Sequence, residues 1–133
     1  MKPRVVLDTN ILVSGLLGGT ATEVIKQWRA GAFTLIVSAE IMVEYEAVLR
    51  RPKFKLPGWV IQELLGYIHE HAEWVTPDRE IHKIARDPSD NKFLEAAVSG
   101  QANWLVSGDN DLLDLSEFEG IPVIPSWEFL RLL

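Results

Sequence analysis

Arg4-Val5-Val6-Leu7-Asp8-Thr9-Asn10 is the stretch whose reading decides the fold. Three apolar residues in a row, running into Asp-Thr-Asn, read as a short buried parallel strand that carries a carboxylate to its carboxyl end. In open α/β sheets ligands bind along that rim. Asp8 is therefore a candidate functional acid, beside the plainer reading of an aspartate that satisfies loop amides after a strand.

Working outward, the pattern alternates strands with helices. Ile11 to Leu17 reads as a short apolar helical turn broken at Gly18-Gly19, and Thr20-Ala21-Thr22-Glu23 fits a capping box for a helix running to about Ala30. Phe33 to Val37 is the second strand. Ser38 caps a helix from Ala39 to about Arg51, which Pro52 helps to end, and a second helix spans Gly58 to His71. Glu73 to Thr76 is a third, weaker strand, and the polar residues 78–86 leave room for a short helix. Asp87 opens a helix through Val98 closed by Gly100. Trp104 to Val106 is the fourth strand, with a helical turn around Leu112-Leu113. Ile121 to Ile124 is the fifth, placed at an edge because of Pro122, and Ser126 caps a last helix. The expected architecture is α/β, three layers, with a central, mostly parallel five-stranded sheet and helices on both faces.

Composition narrows the function. At 133 residues the chain reads as a single domain, residues 1–133, able to bury a sizeable core. The absence of cysteine excludes disulfides, thiolate zinc sites and cysteine nucleophiles. No apolar run approaches the roughly 20 residues of a membrane span, and Asp8 and Asn10 interrupt any signal-peptide-like apolar region, so no membrane association and a cytoplasmic location are expected. A formal net charge of −6 argues against a basic coat for non-specific nucleic-acid binding, although an acidic metal site would account for part of it. Two motif readings fail. Gly15-x-x-Gly18-Gly19 lacks both the dinucleotide order and a following Walker lysine, and a calcium loop begun at Asp109 would place Gly120 where a glutamate is needed.

The remaining acids follow a pattern. On the helix from Ala39, Glu44 and Glu46 flank opposite edges of the apolar stripe while Glu40 lies further out, and helix geometry alone leaves Glu44 and Glu46 nearly tied. Asp87 suits an N-cap, whereas Asp90 heads the inward stripe of Phe93, Leu94 and Ala97, where a carboxylate asks for a partner as well as a cap. Asp109 and Asp111 follow a buried strand as Asp8 does, with helix capping as the alternative, most readily for Asp111.

Taken together, Val6-Leu7-Asp8-Thr9-Asn10, Ser38-x-Glu40-Ile41-x-x-Glu44 leading to Val48-Leu49-Arg50-Arg51-Pro52-Lys53, Asp87-Pro88-x-Asp90-x-x-Phe93-Leu94 and Leu105-Val106-Ser107-Gly108-Asp109-x-Asp111-Leu112 resemble PIN domains. The likeness is closest to the VapC-like toxins of prokaryotic type II toxin–antitoxin modules. It implies an endoribonuclease dependent on one or two Mg²⁺ or Mn²⁺ ions, hydrolysing RNA phosphodiester bonds with metal-activated water. The acidic quartet would fall on Asp8, Glu44, Asp90 and Asp109, with Asp111 as an accessory ligand; this resolves the choice between Glu44 and Glu46. Asn10 and Ser107 fall at supporting polar positions. An RNA substrate, a cognate antitoxin and a homodimer or higher oligomer are the partners implied.

Arg50, Arg51, Lys53 and Lys55 form the densest basic stretch, read either as an RNA phosphate contact or as a solvated helix end. His69, His71 and His82 are assigned surface or packing roles. Five tryptophans could stack bases, but scattered aromatics in apolar context read as core, Trp104 first among them. Two other readings remain: a catalytically inactive PIN-like binding module, and a phosphoryl-transfer enzyme using Asp8 as nucleophile. The second is weakened because Asn10 stands where such enzymes want another aspartate.

Overall fold

The first strand, β1 (Arg4–Leu7), lies in the interior of the sheet, with Val5, Val6 and Leu7 at 0% exposure. An uninterrupted apolar run needs cover on both faces, and an inner parallel strand has it. The computed structural model describes residues 2–81 and 87–133. His82 and the carboxyl end of the polar 78–86 stretch lie outside them. After β1 come α1 (Thr9–Leu16), α2 (Ala21–Arg29), β2 (Thr34–Val37), α3 (Ala39–Leu49), α4 (Gly58–His71) and β3 (Glu73–Trp74). Then follow α5 (Asn91–Ser99), β4 (Trp104–Val106), α6 (Asn110–Leu113), β5 (Glu117–Phe118), β6 (Ile121–Ile124) and α7 (Ser126–Leu132). Two 3₁₀ turns, Pro52–Phe54 and Pro88–Asp90, precede α4 and α5.

Among the described residues the sheet has six strands in the order β3-β2-β1-β4-β6-β5, one more than expected. The extra strand, β5, is two residues long and pairs antiparallel with β6, while every other pairing is parallel. It also displaces β6 from the edge. Pro122 has no N–H to give, but pairing survives because the Val123 N–H donates to the Ser116 carbonyl at 2.9 Å.

The chain steps from β1 to β2 to β3 in one direction, then returns to lay β4 on the other side of β1. Right-handed crossovers put the β1-to-β2 and β2-to-β3 helices on one face and α5 on the other. Accordingly α5 packs over β1, β2 and β4. The reversal opens a crevice at the carboxyl ends of β1 and β4, the place where open α/β sheets bind ligands.

Several local expectations change. Thr20 makes no side-chain cap; instead Thr22 Oγ1 donates to the Gly15 carbonyl at 2.8 Å, and Glu23 accepts from Gln27 Nε2. The cause is the close approach of α1 to α2: a Cβ on Gly15 would stand 2.7 Å from Ile25 Cγ1. Ser38 does cap α3, accepting from the Ile41 N–H, but α3 ends at Leu49 because Pro52 starts a 3₁₀ turn. Ser126 is the first helical residue of α7, with Pro125 at the cap position. Of the five tryptophans only Trp28 is buried and Trp104 partly so; Trp59, Trp74 and Trp127 are exposed, since their elements turn those positions outward.

One bond fixes the height of α3 on the sheet. Tyr45, fully buried, donates its hydroxyl to the Leu7 carbonyl at 2.6 Å, one residue before Asp8. Tyr45→Phe would leave that carbonyl short of a partner and is expected to cost about 1–3 kcal/mol. The check is a urea unfolding curve whose midpoint falls while its slope stays unchanged.

Candidate active site

A parallel strand ends where its following helix begins, so the acids at the β1/β4 crevice are held by rigid elements on both sides. Asp8 follows β1 at 3% exposure, with its own N–H donating to the Val106 carbonyl of β4 at 2.9 Å. Its Oδ2 accepts from Ser107 Oγ at 2.8 Å, and Ser107 Oγ in turn accepts from the Asp109 N–H at 2.9 Å. One buried hydroxyl therefore links the ends of both strands. Asp109 caps α6, its Oδ1 accepting from the Asp111 N–H at 2.9 Å. Capping at this corner is thus the work of Asp109 rather than Asp111.

Two acids arrive from the helices. Glu44, half-buried on α3, accepts the Thr9 hydroxyl on Oε2, and its Oε1 lies 2.5 Å from the Lys92 ammonium. Asp90, at 7% exposure, precedes α5, and its Oδ2 is buried with no hydrogen-bond partner among the described residues. Oxygens of Asp90, Asp109 and Asp111 lie within 4.8 Å of one another. A buried carboxylate oxygen is costly without a partner. An all-carboxylate set around it fits a hard divalent cation.

The residues fall into two groups. Asp8, Asp90, Asp109, Asp111, Glu44 and Ser107 converge at the crevice. Glu46 does not: it is exposed and pairs with Arg50 at 2.9 Å. Asn10 is exposed on the first turn of α1, and Arg51, Lys53 and Lys55 are exposed beyond α3. His69 and His71 lie on exposed positions of α4, against the Trp74 and Tyr67 rings. Sequence reasoning misses Thr9 and Lys92. For Lys92 a signal existed: a cation in the first turn of a helix faces the positive end of the dipole and wants an acid partner.

A family model for the PIN domain matches residues 4–111. The chain belongs to the PIN-domain family. That is a nuclease fold, and PIN domains generally act on nucleic acids and typically bind divalent metals. An uncharacterized protein of Methanocaldococcus jannaschii, MJ1680, is 24% identical over 128 residues, covering 88% of this chain and 77% of that protein. Among the described residues no helix is long and apolar enough to cross a membrane.

The electrostatics of this PIN-domain site are those of crowded acids. Burial pushes the Asp8 carboxyl up to about 6, with the Asp109 and Glu44 charges adding, against the lowering effect of the Ser107 hydroxyl and the Thr9 N–H. Burial likewise raises Asp90 to about 7, reinforced by Asp8, Asp109, Asp87 and Glu44. Both acids hold protons more tightly folded than unfolded, so folding takes up protons between about pH 4 and 7 and stability falls as pH rises through that window. In EDTA, the melting temperature is expected to drop between about pH 4 and 7, and Asp90→Asn to flatten the dependence. Circular-dichroism melts across the range check it; an equally steep fall in the variant removes Asp90 as a source.

Proposed function

We propose that this PIN domain is a divalent-metal-dependent endoribonuclease that hydrolyses RNA phosphodiester bonds. The observation that carries the reading is the buried Asp90 Oδ2, without a partner among the described residues, amid convergent carboxylates at the β1/β4 crevice. Asp8, Asp90, Asp109 and Asp111 would hold the ion, with Glu44 completing the acidic wall. Bound there, Mg²⁺ or Mn²⁺ would offset the charge of a phosphodiester and make water more acidic. The chain's own part is orientation. Ser107 and the Thr9 N–H aim Asp8, Thr9 Oγ1 and Lys92 aim Glu44, and Asn10 stands at the start of α1 with its amide exposed.

Arg51, Lys53 and Lys55 are the exposed cations proposed to meet RNA phosphates, with Arg50 shared with Glu46. The biological setting proposed is a type II toxin acting in the cytoplasm as a homodimer or higher oligomer and restrained by a cognate antitoxin. It rests on the likeness of the four acidic motifs to VapC-like proteins.

Mn²⁺ is expected to raise the melting temperature of the wild-type chain, by an amount set by its concentration relative to Kd. Asp8→Asn and Asp109→Asn should fold normally and lose most of that shift. In the same variants cleavage of RNA with Mn²⁺ should fall by more than about a hundredfold, beyond the usual effect of losing an outer-shell partner. Wild-type cleavage that survives EDTA, or equal cleavage by Asp8→Asn, would sink the proposal.

Replacing Lys53 and Lys55 by glutamate is expected to weaken RNA binding and flatten its salt dependence by about 0.7 in slope for each phosphate no longer neutralised. Fluorescence-anisotropy titrations at several salt concentrations read both; an unchanged slope assigns these lysines to solvent.

A further inference from the structure

Glu44 already has a cation. Lys92 sits in the first turn of α5, where the helix dipole disfavours positive charge. Its ammonium is nevertheless tightly held, donating to Glu44 Oε1 at 2.5 Å and to the Ser89 carbonyl at 2.6 Å. The pair is largely covered, with the two side chains 17% and 23% exposed. Thr9 occupies the other Glu44 oxygen.

The crevice is therefore divided. Toward Asp109 and Asp111, a buried oxygen of Asp90 has no partner among the described residues. Toward α3, each oxygen of the Glu44 carboxylate receives a donor, one of them a full positive charge. A divalent ion ligated by Glu44 would have to displace an ammonium that is covered and held by two acceptors. It would also meet that ammonium's repulsion if the ammonium stayed.

We propose that Lys92 is the resident counter-cation of the Glu44 side, so that this site takes a single divalent ion, on the Asp90–Asp109–Asp111 side. Lys92 is then a positioning residue: it sets the ion count and keeps Glu44 in its place on the wall. The inference rests on the metal-site reading above.

The test counts ions. The 133-residue chain is titrated with Mn²⁺ and free Mn²⁺ is followed by its electron paramagnetic resonance signal. The set comprises wild type, Lys92→Met, Lys92→Arg, Lys92→Met with Glu44→Gln, and Asp90→Asn, each checked for folding by circular dichroism. Wild type and Lys92→Arg should bind one ion per chain. Lys92→Met should bind two, and adding Glu44→Gln should return the count to one. Lys92→Gln replaces Lys92→Met if the latter does not fold.

Two ions in wild type, or a single ion in folded Lys92→Met, overturns the role of Lys92 and leaves the metal site standing. No ion in wild type, or unaltered binding in Asp90→Asn, overturns the metal-site reading and this inference with it.

Discussion

Carboxylates brought together at the rim of a buried sheet repel one another, and most of the local structure is a response to that repulsion. Two charges a few ångströms apart in a partly dry environment interact several-fold more strongly than in water. The chain meets this in different ways at different acids. Asp8 is given a hydroxyl and a backbone N–H, Glu44 a hydroxyl and an ammonium, and Asp109 the Asp111 N–H at the start of α6. Asp90 is buried with one oxygen unpartnered among the described residues, and its proton is held up to about 7. A group left this way in an otherwise well-paired corner is where a cation has most to gain.

That arrangement needs a stiff frame, because a carboxylate free to rotate would turn toward water. The frame is the strand reversal around β1. It sets Asp8 and Ser107 at the ends of neighbouring parallel strands, linked by the Asp8 N–H donating to the Val106 carbonyl, while the Ser107 N–H ties β4 to β6 through the Ile124 carbonyl. Glu44 arrives from another layer, and its position depends on Tyr45, whose hydroxyl reaches the Leu7 carbonyl beneath Asp8. Adjacent residues on α3 thus divide two tasks, one anchoring the helix to the sheet and the other presenting charge at the crevice.

Much of this was legible in the sequence because it depends on short-range rules. Apolar triplets ending in acids marked β1 and β4, and helical spacing placed α4 at Gly58–His71 as found. What escaped depends on proximity between distant residues. β5 carries two residues and no periodic signal; it forms because the turn after Leu115 brings Glu117 back beside Pro122. The choice between Glu44 and Glu46 lay beyond helix geometry, since both border the apolar stripe. What separates them in space is Thr9 and Lys92 near one and Arg50 one turn along from the other. The outward tryptophans defeated a composition rule for a similar reason: burial belongs to the helix face and the neighbour, not to the residue type.

Capping and site chemistry compete as explanations of the same aspartates, and the fold removes the opposition. In a parallel sheet the carboxyl end of a strand adjoins the amino end of a helix, so a rim acid is also a cap-position acid. Asp8, Asp90 and Asp109 stand at the N-cap positions of α1, α5 and α6. The positive ends of those helices favour negative charge there and offset part of the mutual repulsion. What distinguishes the acids is where their oxygens go. Asp109 uses Oδ1 on the Asp111 N–H and Asp8 uses Oδ2 on Ser107, whereas Asp90 makes no side-chain cap bond and has an oxygen buried without a partner among the described residues. An aspartate serving only as a cap would direct that oxygen to its own helix; among the described residues the Asp90 oxygen meets no donor, so there the cap position holds a buried carboxylate in place without the bond that a cap alone would make.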